Sequence, residues 1–98
     1  MDLAVFSAPL RIGSAHPALP GHFPGNPIVP GVVLLQGVAA ALKTWRGETM
    51  ARFDVKFLAP LFPDQDATIE LRSDAPRVRF AIRRGDDVLA KGVVELSA

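Results

Sequence analysis

The chain has 98 residues, a formal net charge of +1, two histidines and no cysteine. This length predicts a single domain over residues 1–98. The near balance of 11 Lys and Arg against 10 Asp and Glu argues against a nucleic-acid partner, which needs a clearly basic surface. Disulfides and thiolate ligands are excluded, and two histidines offer no ligand cluster, so we expect no metal site and no cofactor.

The N-terminal stretch predicts a first strand over residues 3–12, because it is mostly apolar and ends before the turn-forming pair Gly13-Ser14. It has no basic segment ahead of a long apolar run, so a signal peptide is not expected. The apolar run from Gly31 to Leu42 is too short to span a bilayer. We therefore expect a cytoplasmic protein without a membrane span.

Proline dominates the next stretch, where five of the nine prolines lie between positions 17 and 30. Proline fixes φ and pushes the preceding residue toward extended geometry, so His16 to Val29 is predicted to be a long irregular loop. Loops of this length in compact domains are usually functional or disordered. The apolar residues of this loop favour an ordered, functional one; they are Leu19, Phe23, Ile28 and Val29.

A helix is predicted from Pro30 to Trp45, because proline suits the first helical turn and Gly47 suits the end. Gln36 is the sole polar residue between Gly31 and Leu42, which predicts a helix buried on every face with a polar group opposite Gln36. One sheet cannot cover such a helix in so short a chain. We therefore expect a dimer or a larger oligomer.

After the helix, apolar and polar residues alternate with the period of two that half-buried strands require. The stretches are residues 52–57, 68–72, 77–83 and, less regularly, 88–96. Turn-forming residues separate them, and Arg84 to Asp87 is short enough for a hairpin. This order predicts an α+β fold in which one antiparallel sheet wraps around a central buried helix.

The segment His22 to Gly31, which reads His-Phe-Pro-Gly-Asn-Pro-Ile-Val-Pro-Gly, resembles the active-site segment of the β-hydroxyacyl-acyl carrier protein dehydratases. These enzymes of fatty acid and polyene synthesis have the hot-dog fold, which agrees with the predicted order of elements. The resemblance implies a hydro-lyase acting on β-hydroxyacyl thioesters carried by acyl carrier protein. Lys56-Phe57 and Pro60 to Asp66 resemble, more loosely, that family's strand and turn after the helix.

The motif implies a role for several residues. His22 would be the base that removes the C2 proton, a task suited to an imidazole that titrates near neutrality. The amide of Gly31 would stabilise negative charge on the thioester carbonyl, as amides at a helix N-terminus can. Phe23, Gly25 and Pro30 complete the implied substrate contacts. From sequence alone, it is equally open that Pro30-Gly31 only starts a helix.

Gln36 departs from the family's pattern, which has Glu or Asp at this place. An amide donates a hydrogen bond but delivers no proton at neutral pH, so general acid assistance of ~10²- to 10⁴-fold would be missing. Gln36 would then orient the substrate or a water, or stand in place of a catalytic glutamate as its isostere. Either interpretation predicts a slow or silent site.

Three functions stay open. The first is a dehydratase, slow on its own or completed in a heteromer by a carboxylate-bearing homologue, since the resembled family joins histidine and carboxylate from different subunits. The second is a non-catalytic subunit that binds acyl groups or acyl carrier protein. The third is a hot-dog thioesterase. Gln36 argues against this function, because the attack of water on a thioester also requires a carboxylate on the helix.

The third predicted strand after the helix carries a basic stripe formed by Arg77, Arg79, Arg83 and Arg84. Such a stripe would steer an acidic carrier protein by long-range attraction. A solvated strand face is the plainer interpretation of the same residues.

Overall fold

The computed structural model describes residues 4–16 and 28–97, and these residues form one helix and one five-stranded antiparallel sheet. The predicted α+β architecture is confirmed. The elements are β1 (Val5–Leu10), α1 (Gly31–Arg46), β2 (Met50–Phe57), β3 (Ala67–Asp74), β4 (Arg77–Arg84) and β5 (Asp87–Leu96). Of the predicted loop between β1 and α1, only its two ends lie within the described residues.

Helix α1 begins and ends where the sequence predicts. Pro30 is the N-cap residue with extended backbone, and Gly47 closes the C-terminus in the left-handed conformation at φ 69°. The amide of Gly47 donates to the carbonyl of Lys43, which satisfies an otherwise unpaired helical carbonyl. Lys43 and Arg46 lie in the last turn, where cations interact favourably with the helix dipole.

The sheet has the strand order β1-β3-β4-β5-β2, with every neighbouring pair antiparallel. One face of the sheet packs on α1, and between them lies the apolar core. On this face, alternate residues of the central strands are buried, as the period of two predicts. They include Ile69, Leu71, Val78, Phe80, Ile82 and Val94.

A bulge in β5 explains why its alternation is blurred in the sequence. The register between β4 and β5 shifts between Ile82 and Arg83, so that Ile82 is opposite Ala90 while Arg83 is opposite Val88. Leu89 is the extra residue, and both Leu89 and Ala90 are fully buried. The carbonyl of Leu89 accepts hydrogen bonds from the amides of Leu58 and Ala59, which ends β2 at this point.

The sheet covers one side of α1 in the single chain, and the burial of its other side by a second subunit stays a prediction. The side toward the sheet is buried, including Val33, Leu34 and Val38, but Val32 is 62% exposed. Gln36 and Ala40 are exposed on the same side as Val32, because residues four apart share one face of a helix. Gln36 therefore does not sit in an apolar interior, and the polar partner predicted for it is not required within the chain.

The predicted basic stripe on β4 divides into two parts. Arg79 and Arg83 lie on the outer face of the sheet, where they form ion pairs with Asp74 and Glu70. Arg84 points elsewhere and donates to the carbonyl of Pro60 and to the side chain of Gln65. Three of the four arginines of this stripe thus form ion pairs or hydrogen bonds within the chain. No helix in the described part of the chain is long and apolar enough to cross a membrane.

Candidate active site

The start of α1 is the part of the predicted site that the structure describes. Pro30 has φ −62° and ψ 146°, and its carbonyl accepts hydrogen bonds from the amides of Val33 and Leu34 at 3.0 and 3.3 Å. The amides of Gly31 and Val32 precede these first helical bonds and carry the positive end of the helix dipole. An acyl carbonyl or another oxygen that gains negative charge would be stabilised at this position.

The ring of Phe57 lies against Gly31. A Cβ atom built on Gly31 would be 2.6 Å from Cζ of Phe57, closer than real Cβ atoms approach other atoms, and 3.0 Å from Cε1. Glycine at position 31 thus allows the ring at the end of β2 to approach the first turn of α1. Phe57 is nevertheless 50% exposed, so its other side faces solvent. The first helical turn and this aromatic ring together form an apolar wall with backbone donors at its base.

The residues just before and beside this wall are anchored by backbone hydrogen bonds. Val29, which is 3% exposed, donates its amide to the carbonyl of the fully buried Leu61 at 2.9 Å. Arg84 and Gln65 in turn hold residues 60–65, since Gln65 accepts from both Arg84 and the amide of Phe62. The chain therefore enters α1 from a fixed point.

Gln36 lies one and a half turns beyond Gly31 and is exposed on the side of α1 that faces away from the sheet. The side chain is free to meet a second subunit or a substrate that covers this side. An exposed amide both donates and accepts hydrogen bonds, so it can hold a hydroxyl or a water there.

Of the residues predicted from sequence, Pro30 and Gly31 lie together at the helix start, and Gln36 lies on the same helix. His22, Phe23 and Gly25 lie outside the described residues, so their roles stay predictions. Sequence reasoning missed Phe57 as a site residue. The sequence shows Phe57 as an aromatic residue at the end of a predicted strand, within a segment that resembles the family. That the ring of Phe57 contacts Gly31 is seen only in the folded structure.

The described residues contain no group of three or more His, Asp or Glu side chains arranged to hold a metal ion. The site as described offers backbone donors, an aromatic ring and one amide side chain. This set can bind an oxygen that accepts hydrogen bonds and lies next to an apolar group.

Comparison with known sequences gives a family match over nearly the whole chain. A family model described as ApeI-like, ApeI dehydratase, matches residues 4–93. The chain is 32% identical over 82 residues to a 3-hydroxyacyl-[acyl-carrier-protein] dehydratase FabZ from Roseiflexus castenholzii, covering 74% of this chain and 56% of that protein. The FabZ from Nitratiruptor sp. is 31% identical over 81 residues, covering 78% of this chain and 48% of that protein. The chain thus spans about half the length of these two curated relatives.

Similar solved structures confirm the hot-dog fold. The dehydratase heterocomplex ApeI:P from Xenorhabdus doucetiae has a chain that superposes with a TM-score of 0.85 at 22% identity, covering 99% of this chain and 90% of that one. A probable thioesterase from Bartonella henselae superposes with a TM-score of 0.72 at 18% identity, covering 96% of this chain and 89% of that one. At such identities the likeness establishes the fold alone.

Proposed function

Because this chain belongs to the ApeI-like dehydratase family, we propose that it binds β-hydroxyacyl or enoyl thioesters of acyl carrier protein as a dehydratase-type subunit in the cytoplasm. The pathway would be fatty acid or polyene synthesis. The dehydration is slow when the chain acts alone, because Gln36 stands where a proton donor is needed. The active form is a dimer or larger assembly, in which a second copy or a carboxylate-bearing homologue completes the site.

The start of α1 is the observation that carries this proposal. Gly31 presents its amide at the positive end of the helix, and Phe57 lies against it as an apolar wall. The thioester carbonyl would accept from this amide while the acyl chain lies along the ring. His22, six residues before Ile28 in the sequence, would remove the C2 proton, and that step raises the negative charge on the carbonyl.

Gln36 would then face the C3 hydroxyl, either of the thioester bound by its own chain or of one bound by a partner. It would hold that hydroxyl or a water by hydrogen bonding without supplying a proton. The exposed position of Gln36 supports the arrangement in which it serves a site shared between subunits. A homologue with a carboxylate at the position of Gln36 would therefore supply the missing proton and allow the complete dehydration.

The substitution Gln36→Glu tests the proposal, since it changes an amide to a group of nearly equal length that can carry a proton. We expect at least a tenfold gain in the hydration of an enoyl thioester, about a tenth of the lower limit for general acid catalysis. The measurement is the rate of loss of the enoyl absorbance with the purified protein. Adding His22→Ala should abolish the gain.

Ala40→Glu is the matched control, because it places the same carboxylate one turn further along the same exposed side of α1. It should give no gain. If Gln36→Glu folds, assembles and binds thioester yet gains nothing, the function is that of the non-catalytic acyl-binding subunit. If the wild type is already active and Gln36→Ala loses that activity, the amide itself takes part, by holding a water that donates the proton.

The non-catalytic subunit is the second candidate, and Gln36 is the observation that favours it. The thioesterase alternative has only the shared fold in its support. Release of free thiol from an acyl thioester by the wild type, without formation of enoyl product, would favour the thioesterase.

A further inference from the structure

The connection between β2 and β3, residues 58–66, links the two walls of the candidate site. It follows directly on Phe57, whose ring lies against Gly31. Within it, the carbonyl of Leu61 accepts the amide of Val29 at 2.9 Å, two residues before α1 begins. This β2–β3 segment therefore joins the end of β2 to the entry into α1, and its conformation sets how the two meet.

The residues of the β2–β3 segment, all within the described ranges, form neither helix nor strand, so other parts of the fold must satisfy their backbone groups. Near its start, Leu58 and Ala59 donate their amides to the carbonyl of Leu89 in β5 at 2.8 and 3.2 Å. Near its end, the amide of Asp64 donates to the carbonyl of Ile12 at 2.8 Å. Both ends of the segment are thus attached to the sheet and to the residues after β1.

Arg84, at the end of β4, holds the middle of the segment. Its Nη1 donates to the carbonyl of Pro60 and to Oε1 of Gln65, both at 3.0 Å. The same Oε1 accepts the backbone amide of Phe62 at 3.1 Å. The amide of Phe62 and the carbonyl of Leu61 belong to one planar peptide group. The bond from Phe62 to Gln65 therefore also fixes the direction in which the Leu61 carbonyl points.

That direction matters because the Leu61 carbonyl faces the entry into α1. Val29, its donor, is followed by Pro30, whose ring fixes φ at −62° and whose carbonyl accepts the first helical amides. A rotation of the peptide group after Leu61 would break its bond to Val29 and release this stiff entry. The amide of Gly31 would then lose its fixed position relative to Phe57.

We propose that Arg84 is a positioning residue for the candidate site. Acting through Gln65, it fixes the peptide group after Leu61, and this group holds the start of α1. The amide of Gly31 is thereby kept beside the ring of Phe57. A guanidinium suits this task because its planar fork presents several donors in fixed directions. The geometric part of the inference stands on these contacts alone, whereas its effect on thioester binding rests on the proposed function.

Arg84→Met tests the inference, since it keeps a long side chain and removes the donors. Proton exchange of the Val29 amide, measured by nuclear magnetic resonance, should become about tenfold faster relative to the Phe80 amide in β4. The nuclear Overhauser effect between the α-protons of Gly31 and the ring of Phe57 should weaken. The dissociation constant of the crotonyl thioester of pantetheine should rise about fivefold. All measurements are made well below Tm, where circular dichroism shows each variant folded.

Arg83→Met is the matched control. Arg83 is the neighbouring arginine of β4, and it pairs with Glu70 on the outer face of the sheet instead of with the β2–β3 segment. The side chains of Arg83 and Arg84 are 41% and 29% exposed, so the two substitutions remove comparable groups. Arg83→Met should change none of the three measured quantities, even where it lowers Tm.

Gln65 provides a second test that leaves Arg84 in place. Gln65→Leu removes the acceptor of both bonds and should reproduce the effects of Arg84→Met. Gln65→Glu retains an oxygen acceptor for Arg84 and for the amide of Phe62, so it should keep the exchange rate and the affinity of the wild type. A merely structural role in stability predicts no such rescue in measurements on fully folded protein. If Arg84→Met does not fold, the two Gln65 variants decide the question.

An unchanged exchange rate of Val29 in the folded variants Arg84→Met or Gln65→Leu would overturn the proposal. Faster exchange with an unchanged Overhauser effect would overturn it too, because the helix start would then keep its place without Arg84. If the wild type binds the thioester and the variants bind it equally well, Arg84 does not position the binding site. A wild type that binds no thioester counts against the proposed function alone, and the exchange rate and the Overhauser effect still decide on the role of Arg84.

Discussion

The contact between Gly31 and Phe57 can be measured with a double-mutant cycle. Gly31→Ala adds one methyl group at the point where the ring of Phe57 already lies. Phe57→Ala removes the ring, and with it the three nearest atoms that the methyl group would meet. The effect of Gly31→Ala on the free energy of unfolding should therefore differ between the two backgrounds.

The expected size follows from two opposing terms. Alanine in a helix interior is about 1 kcal/mol more favourable than glycine, and this value is an upper limit at Gly31, the first residue of α1. Overpacking typically costs about 1 to 3 kcal/mol, and the half-exposed ring of Phe57 can move partly aside, which favours the lower value of about 1 kcal/mol. The two terms nearly cancel in the wild type. With Phe57→Ala the first term remains alone, so Gly31→Ala should stabilise by up to about 1 kcal/mol.

The assay is thermal or urea unfolding of the four proteins at one fixed protomer concentration, since assembly shifts apparent stability. A coupling energy of about 1 kcal/mol corresponds to a difference of about 4 to 8 °C in Tm for a domain of this size. Thioester affinity measured on the same proteins should fall with Gly31→Ala in both backgrounds if the amide binds the carbonyl.

Gly37→Ala in the same helix is the matched control, because a Cβ there would meet Leu10 and Ile69 instead of Phe57. Its effect should be the same with and without Phe57. A coupling energy below about 0.3 kcal/mol between Gly31→Ala and Phe57→Ala is within ordinary additivity. Such a result would refute the contact and, with it, the apolar wall at the helix start.

Two further predictions concern stability, and chemical denaturation measures both. Trp45 stacks on Phe6 at 6.0 Å between ring centroids and lies under Arg46 at 4.1 Å, so Trp45→Ala should destabilise by about 2 to 4 kcal/mol, whereas Arg46→Ala should lose only about 1 kcal/mol. Asp64 has a positive φ of 66°, so Asp64→Val should destabilise by about 1 to 2 kcal/mol while Asp64→Gly leaves stability unchanged or higher. Equal effects of the two Asp64 substitutions would contradict the conformational argument.

The strands were predictable because their burial follows alternation along the sequence. Val78, Phe80 and Ile82 of β4 all face the core, as their spacing by two requires. The bulge at Leu89 was not predictable in this way, because it turns two successive residues inward and breaks the period. The irregular alternation of apolar and polar residues in β5 results from this bulge.

The exposure of α1 and the composition of the candidate site depend on contacts between residues that are far apart in the sequence. Composition predicts an apolar helix, but the sheet covers only one side, so Val32 and Gln36 stay exposed in one chain. The motif identifies Gly31, whereas Phe57 reaches it only because β2 pairs with the far end of the chain in β5. The alternation of apolar and polar residues in β2 predicts a strand but does not say which strand it pairs with.

The strand order also has a consequence for how the chain folds. β3, β4 and β5 are joined by short turns and pair with their neighbours in sequence, whereas β2 reaches β5 only after β3 and β4 have been passed. Closing the longer loop has a larger entropy penalty, so we expect the three-stranded meander to form first and β2 to dock late. Elements that dock late and lie at an edge are commonly the first to open in the native state. Backbone amides of β2 should therefore exchange with solvent deuterium faster than those of β4.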